Sequence, residues 1–208
     1  MLGIFGGTFD PIHFGHLRPA LEALESLALD ALRFVPASRP NLRDVPQASA
    51  EQRLAMLRLA VAGQPGFAVD TRELARPGVS YTVDTLTSLR EEMGEKPLCL
   101  ILGSDAFARL HCWHAWERIP RLAHIVIAHR PGWDGQDLAA PLEALLAERE
   151  CEAEALQQRP AGGITRLAVT PLDISATRIR ELRSQGREIR YLLPEAVRQY
   201  IQEHRLYT

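Results

Sequence analysis

Short, wholly apolar runs alternate along the chain with longer stretches in which apolar residues recur every three or four positions. Leu2 to Phe5 is the first run and reads as a buried strand, with two glycines directly after it. A helical pattern follows through His16, Leu17, Ala20, Leu21, Leu24 and Leu27. Leu32 to Val35 is a second short strand, ending at Pro36. Ser49-Ala50-Glu51-Gln52 has the spacing of a capping box and predicts a helix to about Ala62. Phe67 to Val69 reads as a short strand, and Thr82 to Met93 as a helix with Val83, Leu86 and Leu89 on one face. Leu98 to Leu102 and Ile125 to Ala128 are runs typical of strands buried on both faces, and Thr165 to Val169 is a weaker one. A helix is expected from Ile174 to Leu182, and a last one beginning at Pro194 as its first helical position, with Val197, Tyr200 and Ile201 inward.

Strands separated by helices imply a parallel sheet with helices on both faces, a three-layer α/β/α, Rossmann-like doubly wound fold. In such folds ligands collect at the carboxyl ends of the strands, where the strand order reverses. The glycines after the first strand, Gly103-Ser104-Asp105 after another and His129-Arg130 after a third all fall on that edge. The reading is one domain over residues 1–208. The polar, Glu/Gln-rich stretch Pro131 to Gly163 is an excursion carrying a helix from Leu138 to Arg149, and a helical part starts at about residue 174.

The candidate chemistry gathers near the start: Gly6-Gly7-Thr8-Phe9-Asp10-Pro11-Ile12-His13-Phe14-Gly15-His16. Glycines let a ligand approach main-chain N–H groups closely. The two histidines stand three apart at the beginning of a helix, where free N–H groups and the dipole favour an anion. This makes a phosphate site without a P-loop: the Walker lysine is missing and no G-x-G-x-x-G occurs. The bland alternative is that one histidine merely caps the helix or fills a pocket. Asp10, followed by Pro11, reads as a turn organiser in preference to a metal ligand.

Bulk properties narrow the class. A net charge of −2 lacks the basic excess of a duplex nucleic-acid binder. Cys99, Cys112 and Cys151 form no C-x-x-C pair and read as free thiols in a reducing compartment. No signal-peptide pattern and no apolar run of about 20 residues occurs, so the expectation is a soluble, cytoplasmic protein without a membrane partner.

The Gly6 to His16 stretch resembles the signature of the HxGH nucleotidyltransferases, and Ile174-Ser175-Ala176-Thr177-Arg178-Ile179-Arg180 resembles their second signature. The resemblance implies a nucleotidyltransferase-type fold and transfer of a nucleotidyl group from a nucleoside triphosphate to a phosphate-bearing acceptor. It also implies an ATP site built from Gly6, Gly7, Thr8, Phe9, His13, His16, Gly103, Asp105, Ser175, Thr177 and Arg180. Of these, His13, His16 and Arg180 would be catalytic, and Mg²⁺ would come with ATP, held mainly by phosphates and water and not by a dedicated protein metal site. Thr8 and Phe9 would act through backbone N–H groups. Ser175 reads equally as a helix N-cap, and Ser104 or Asp105 as the cap of a short helix; Asp105 can also accept hydrogen bonds from ribose hydroxyls.

Pro77-Gly78-Val79-Ser80-Tyr81-Thr82-Val83-Asp84-Thr85-Leu86, Trp113 with His114 and Trp116, and His129-Arg130-Pro131-Gly132 are similar to stretches of the bacterial nicotinate mononucleotide adenylyltransferases. That branch implies ATP and nicotinate mononucleotide as substrates and a dinucleotide and pyrophosphate as products, a step toward NAD. Trp113 would stack on the pyridine, with Trp116 the core tryptophan. Tyr81 and Thr82 would help Trp113 place the pyridine, the N–H groups at the start of the Thr82 helix and the backbone near His114 would receive the carboxylate, and Arg43 and Arg130 would complete the acceptor side. Where the family usually has Pro-Pro-His before Lys or Arg, this chain reads Pro40-Asn41-Leu42-Arg43, which implies weaker substrate binding without loss of chemistry. Two alternatives stay open: preference for nicotinamide mononucleotide, and a non-catalytic nucleotide sensor.

Overall fold

The computed structural model describes residues 1–40, 45–129, 133, 135 and 138–208. Within them, six parallel strands form one sheet: β1 (Leu2–Gly7), β2 (Ala31–Pro36), β3 (Phe67–Val69), β4 (Leu98–Gly103), β5 (His124–His129) and β6 (Ile164–Ala168). Their order is β3-β2-β1-β4-β5-β6. The chain winds outward in one direction from β1 to β3 and in the other from β4 to β6. The order therefore reverses between β1 and β4, which pair directly, with Gly3 opposite Cys99 and Ile4 opposite Leu100. A crevice at the carboxyl ends of these two strands is where such a sheet binds ligands.

Alternation along the strands divides the core into two layers. Leu98, Leu100 and Leu102 of β4, with Ile125 and Ile127 of β5, pack on one face with Leu86 and Leu89 of α4 (Thr82–Met93). Phe107 of α5 (Ser104–Phe107), Ile119 of α6 (Ile119–Leu122) and Leu142 of α7 (Ala140–Arg149) join that layer. Cys99, Ile101, Val126 and Ala128 point to the other face. There they meet α1 (Phe14–Ser26), α2 (Ala50–Val61), α8 (Ala176–Ser184) and α9 (Glu195–Glu203) through Ala20, Ala23, Met56, Leu57, Ile179, Val197 and Ile201. Period-two strands and amphipathic helices thus account for the three layers.

The capping box forms as its spacing predicts. The Ser49 hydroxyl accepts from the Gln52 N–H, and the Gln52 side chain accepts from the Ser49 N–H. Several ends differ from expectation by one or two residues: the helix expected over Ile174 to Leu182 runs Ala176–Ser184, because Ser175 is its N-cap, and the one expected from Leu138 starts at Ala140. Pro194 is the N-cap of α9, not its first helical residue, because its ψ of 144° is extended. Gly103, not Ser104 or Asp105, caps the short α5. The stretch between β5 and β6 supplies the crossover helix α7, whose Leu142 and Leu146 are buried in the layer shared with α4. A 3₁₀ turn (Ala153–Gln158) follows and carries Leu156 into the opposite layer, with α1 and α2. The described residues contain no helix long and apolar enough to cross a membrane.

Candidate active site

β1 ends at Gly7, and the chain turns through Thr8 and Phe9 into α1. Phe9 has a φ of 51° and buries its ring, which stacks on Phe5 at 6.3 Å and meets Phe34 and His16 edge-on at 6.0 and 5.3 Å. A Cβ on Gly7 would lie 2.8 Å from that ring, so the tight turn requires glycine there. Gly6 faces open space.

His13 occupies the N-cap position of α1 but makes no capping hydrogen bond with its side chain. Its ring lies against His16 with centroids 3.8 Å apart. It is 4% exposed, and its Nδ1 is buried without a hydrogen-bond partner among the described residues. Burial lowers its pKa from 6.5 to about 4, so the free site holds a neutral imidazole at pH 7. The capping alternative therefore does not describe this side chain.

The second signature docks on the first. A Cβ on Gly15 would lie 2.8 Å from the Ile174 carbonyl oxygen and 2.9 Å from His13 Nδ1, so the two motifs approach closely only because residue 15 has no side chain. Ser175 caps α8 by accepting from the Arg178 N–H at 3.2 Å, yet remains exposed. Arg180 donates from Nη1 to the Asp10 carbonyl at 2.7 Å and from Nη2 to Thr177 Oγ1 at 3.3 Å. The arginine and its partner hydroxyl thus lie beside the loop that leads into the paired histidines.

Asp10 is a structural junction. Its carboxylate accepts from the Gln47 N–H at 2.8 Å, the Ala48 N–H at 3.1 Å and the Tyr207 hydroxyl at 2.7 Å. The turn-organising reading is therefore too local: this carboxylate also anchors the start of the Ser49 helix and the C-terminal segment.

At the neighbouring strand end, Gly103 opens directly into α5, and the exposed Asp105 carboxylate turns back toward it. The chain then runs through a 3₁₀ turn (Leu110–Cys112) to Trp113, which is half-buried and packs against the core layer that holds α4. Trp116 packs there as well, so burial alone does not separate the two tryptophans. His114 reaches Tyr81, with ring centroids 4.4 Å apart, and this contact joins the two distant stretches expected on the acceptor side. Tyr81 is the N-cap of α4, and the N–H groups of Thr82 and Val83 open at the helix mouth without intrahelical partners. Arg43, Arg130 and the Asn41-Leu42 pair lie outside the described residues.

Residues 4–182 match the family model described as cytidylyltransferase-like. A relative from Methylococcus capsulatus, named as a probable nicotinate-nucleotide adenylyltransferase, is 49% identical over the whole of both chains. One of the same name from Halorhodospira halophila is 51% identical over 97% of this chain and 93% of its own length. The chain belongs to the nicotinate-nucleotide adenylyltransferase family. Among solved structures, the nicotinic acid mononucleotide adenylyltransferase of Plasmodium falciparum complexed with APC has a TM-score of 0.71 at 15% identity, covering 99% of this chain and 96% of that one. The same enzyme complexed with NaAD gives 0.71 at 16% identity and the same coverage. At that identity the likeness bears on the fold alone.

Within this family member, three polar residues around the site escaped the sequence reading. Arg53, on α2, is 1% exposed and donates to the Thr8, Ala37 and Ser38 carbonyls. Burial lowers its pKa, and the charge of Asp10 opposes that shift. Glu73, on α3 (Arg72–Ala75), is buried and accepts from Thr85 Oγ1 at 2.7 Å. Burial raises its pKa, against hydrogen bonds from Thr85 and Ser80 that favour the anion. Tyr207 is the third. Arg53 had a signal: it falls at i with Met56 and Leu57 at i+3 and i+4, a charge at an inward position of a helical pattern.

Proposed function

We propose that this chain transfers the adenylyl group of ATP to nicotinate mononucleotide, giving nicotinate adenine dinucleotide and pyrophosphate in NAD biosynthesis. The observation that carries the reading is the imidazole pair at the mouth of α1, with His13 buried and His16 half-buried. It lies beside Arg180, at the strand ends where the sheet order reverses.

The acceptor phosphate attacks the α-phosphorus of ATP in line, and pyrophosphate leaves. Charge grows on the phosphoryl oxygens, so the protein's part is positioning and charge stabilisation, with no side-chain nucleophile. His13 and His16 donate hydrogen bonds to the triphosphate. The incoming negative charge offsets the burial that keeps His13 neutral, so phosphate binding favours the donating, protonated form. Arg180 supplies a permanent cation. Thr177 and the exposed Ser175 hydroxyl, at the N-terminus of α8, add donors. Gly6, Gly7, Thr8 and Phe9 line the approach through their backbone, and Gly103 and Asp105 take the adenosine, with the Asp105 carboxylate on the ribose hydroxyls. A divalent cation, Mg²⁺ in this reading, enters with ATP on phosphate oxygens. The Asp10 carboxylate does not fit as its ligand, because it is buried and its oxygens already accept three hydrogen bonds.

On the acceptor side, Trp113 stacks on the pyridine. The N–H groups at the mouth of α4, after Tyr81, and the backbone at His114 receive the carboxylate. A pocket of donors favours nicotinate over the neutral carboxamide. Arg43 and Arg130 are assigned to the acceptor side by the sequence resemblance. The reading places the reaction in the cytoplasm, in keeping with the free thiols of Cys99, Cys112 and Cys151.

Product identity tests turnover. ATP, Mg²⁺ and nicotinate mononucleotide should yield equal amounts of pyrophosphate and the deamidated dinucleotide. ATP binding without pyrophosphate release would favour a nucleotide sensor instead.

A further inference from the structure

Arg53 is the largest fully buried side chain among the described residues, and its hydrogen bonds run to main-chain carbonyls, not to a carboxylate. Nη1 donates to the Thr8 oxygen at 2.7 Å and to the Ala37 oxygen at 2.8 Å; Nη2 donates to the Ser38 oxygen at 3.2 Å. Thr8 lies in the turn that leads to the paired histidines. Ala37 and Ser38 follow β2 and lead toward residues 41–43. A buried ion is expensive to desolvate, and an apolar side chain of similar volume would serve packing as well or better. The guanidinium offers something an apolar group cannot: a planar fork that holds two separate backbone segments in one relation.

The connection continues beyond Ser38. The Ser38 N–H donates to Ser80 Oγ at 3.0 Å, the Ser80 N–H donates to the Arg39 carbonyl at 3.0 Å, and Pro40 bridges to Ser80. Ser80 immediately precedes Tyr81, the N-cap of α4. An unbroken set of bonds therefore runs from Thr8 through Arg53, Ser38 and Ser80 to the helix mouth proposed to receive the nicotinate carboxylate. We infer that Arg53 is a positioning residue that fixes the triphosphate turn and the acceptor pocket relative to each other, with Ser80 as the second joint of the same connection. This rests on the assignment of the two halves made above.

The test is steady-state kinetics with ATP and nicotinate mononucleotide, each varied in turn, for the wild type, Arg53→Lys, Ser80→Ala and the double variant. Lysine keeps the charge and loses the fork. In Arg53→Lys the KM for both substrates should rise at least fivefold and kcat should fall. In Ser80→Ala only the acceptor KM should rise, threefold or more, with the ATP KM within twofold of wild type. The double variant should show no further rise in acceptor KM, since both changes break one connection. A purely structural Arg53 would instead lower the melting temperature and the active fraction while leaving both KM values unchanged, and that result overturns the inference. If Arg53→Lys does not fold, Ser80→Ala decides alone, and an unchanged acceptor KM overturns it. A wild type that releases no pyrophosphate sinks the assigned function as well. Normal wild-type turnover with flat KM values in the variants sinks only this inference.

Discussion

At His13, burial and chemistry pull in opposite directions. The fold holds the ring neutral, with a pKa of about 4 against 6.5 in the free side chain. As pH falls, the unfolded chain therefore takes up this proton first. The corresponding stability is complete above about 6.5 and is lost as pH falls from there toward about 4. The melting temperature of the wild type should accordingly drop more steeply between these limits than that of His13→Asn; parallel curves would contradict the burial account. For the reaction itself, His16→Ala should lower kcat by about 10²–10³, the usual loss for one donor to a developing charge. At Asp10, a buried carboxylate depends on the Tyr207 hydroxyl. Tyr207→Phe should cost about 1.5–3 kcal/mol, read as a lower midpoint in a urea melt. An unchanged midpoint would mean that the tail contact contributes nothing.

At the scale of elements, the candidate site is assembled because two short motifs are carried by helices that meet at one residue. Gly15 lets the Ile174 carbonyl approach to a distance that a Cβ would forbid. Gly15→Ala should therefore separate α1 from α8 and reduce activity much more than stability; near-normal kcat/KM would show that the motifs tolerate separation. The capping box at Ser49 makes a different prediction. Ser49→Ala should lower stability by about 1 kcal/mol, or a melting temperature shift of roughly 2–4 °C, through loss of the helix cap. These elements were readable in sequence for definite reasons. Phe67 to Val69 and Thr82 to Met93 have the same limits in pattern and in structure, because apolar spacing and flanking glycines leave no other choice. α7 was harder, since its inward face rests on little more than Leu142 and Leu146 amid polar residues. The four-residue helices α3, α5 and α6 are too short for a periodic signal and are held by tertiary packing.

Across the whole molecule, the reversal of strand order at β1 and β4 brings the histidine loop and the Gly103 turn to one edge. That these turns share the carboxyl edge was legible from the alternation of strands and helices; that the order reverses between β1 and β4 was not. Nor were the residues that tie the edge together. Arg53, Glu73 and Tyr207 act through long-range bonds to backbone or to single side chains, and such pairings leave no local pattern. Trp113 was singled out by its neighbours in sequence, while burial leaves it and Trp116 alike. The measurement that most directly tests the assigned chemistry is kcat/KM for pyrophosphate release, compared side by side with nicotinate mononucleotide, nicotinamide mononucleotide and pantetheine phosphate. The account predicts a clear preference for nicotinate mononucleotide, reduced about 3- to 10-fold in Trp113→Ala through loss of ring stacking. Equal or greater efficiency with either of the other acceptors would contradict it.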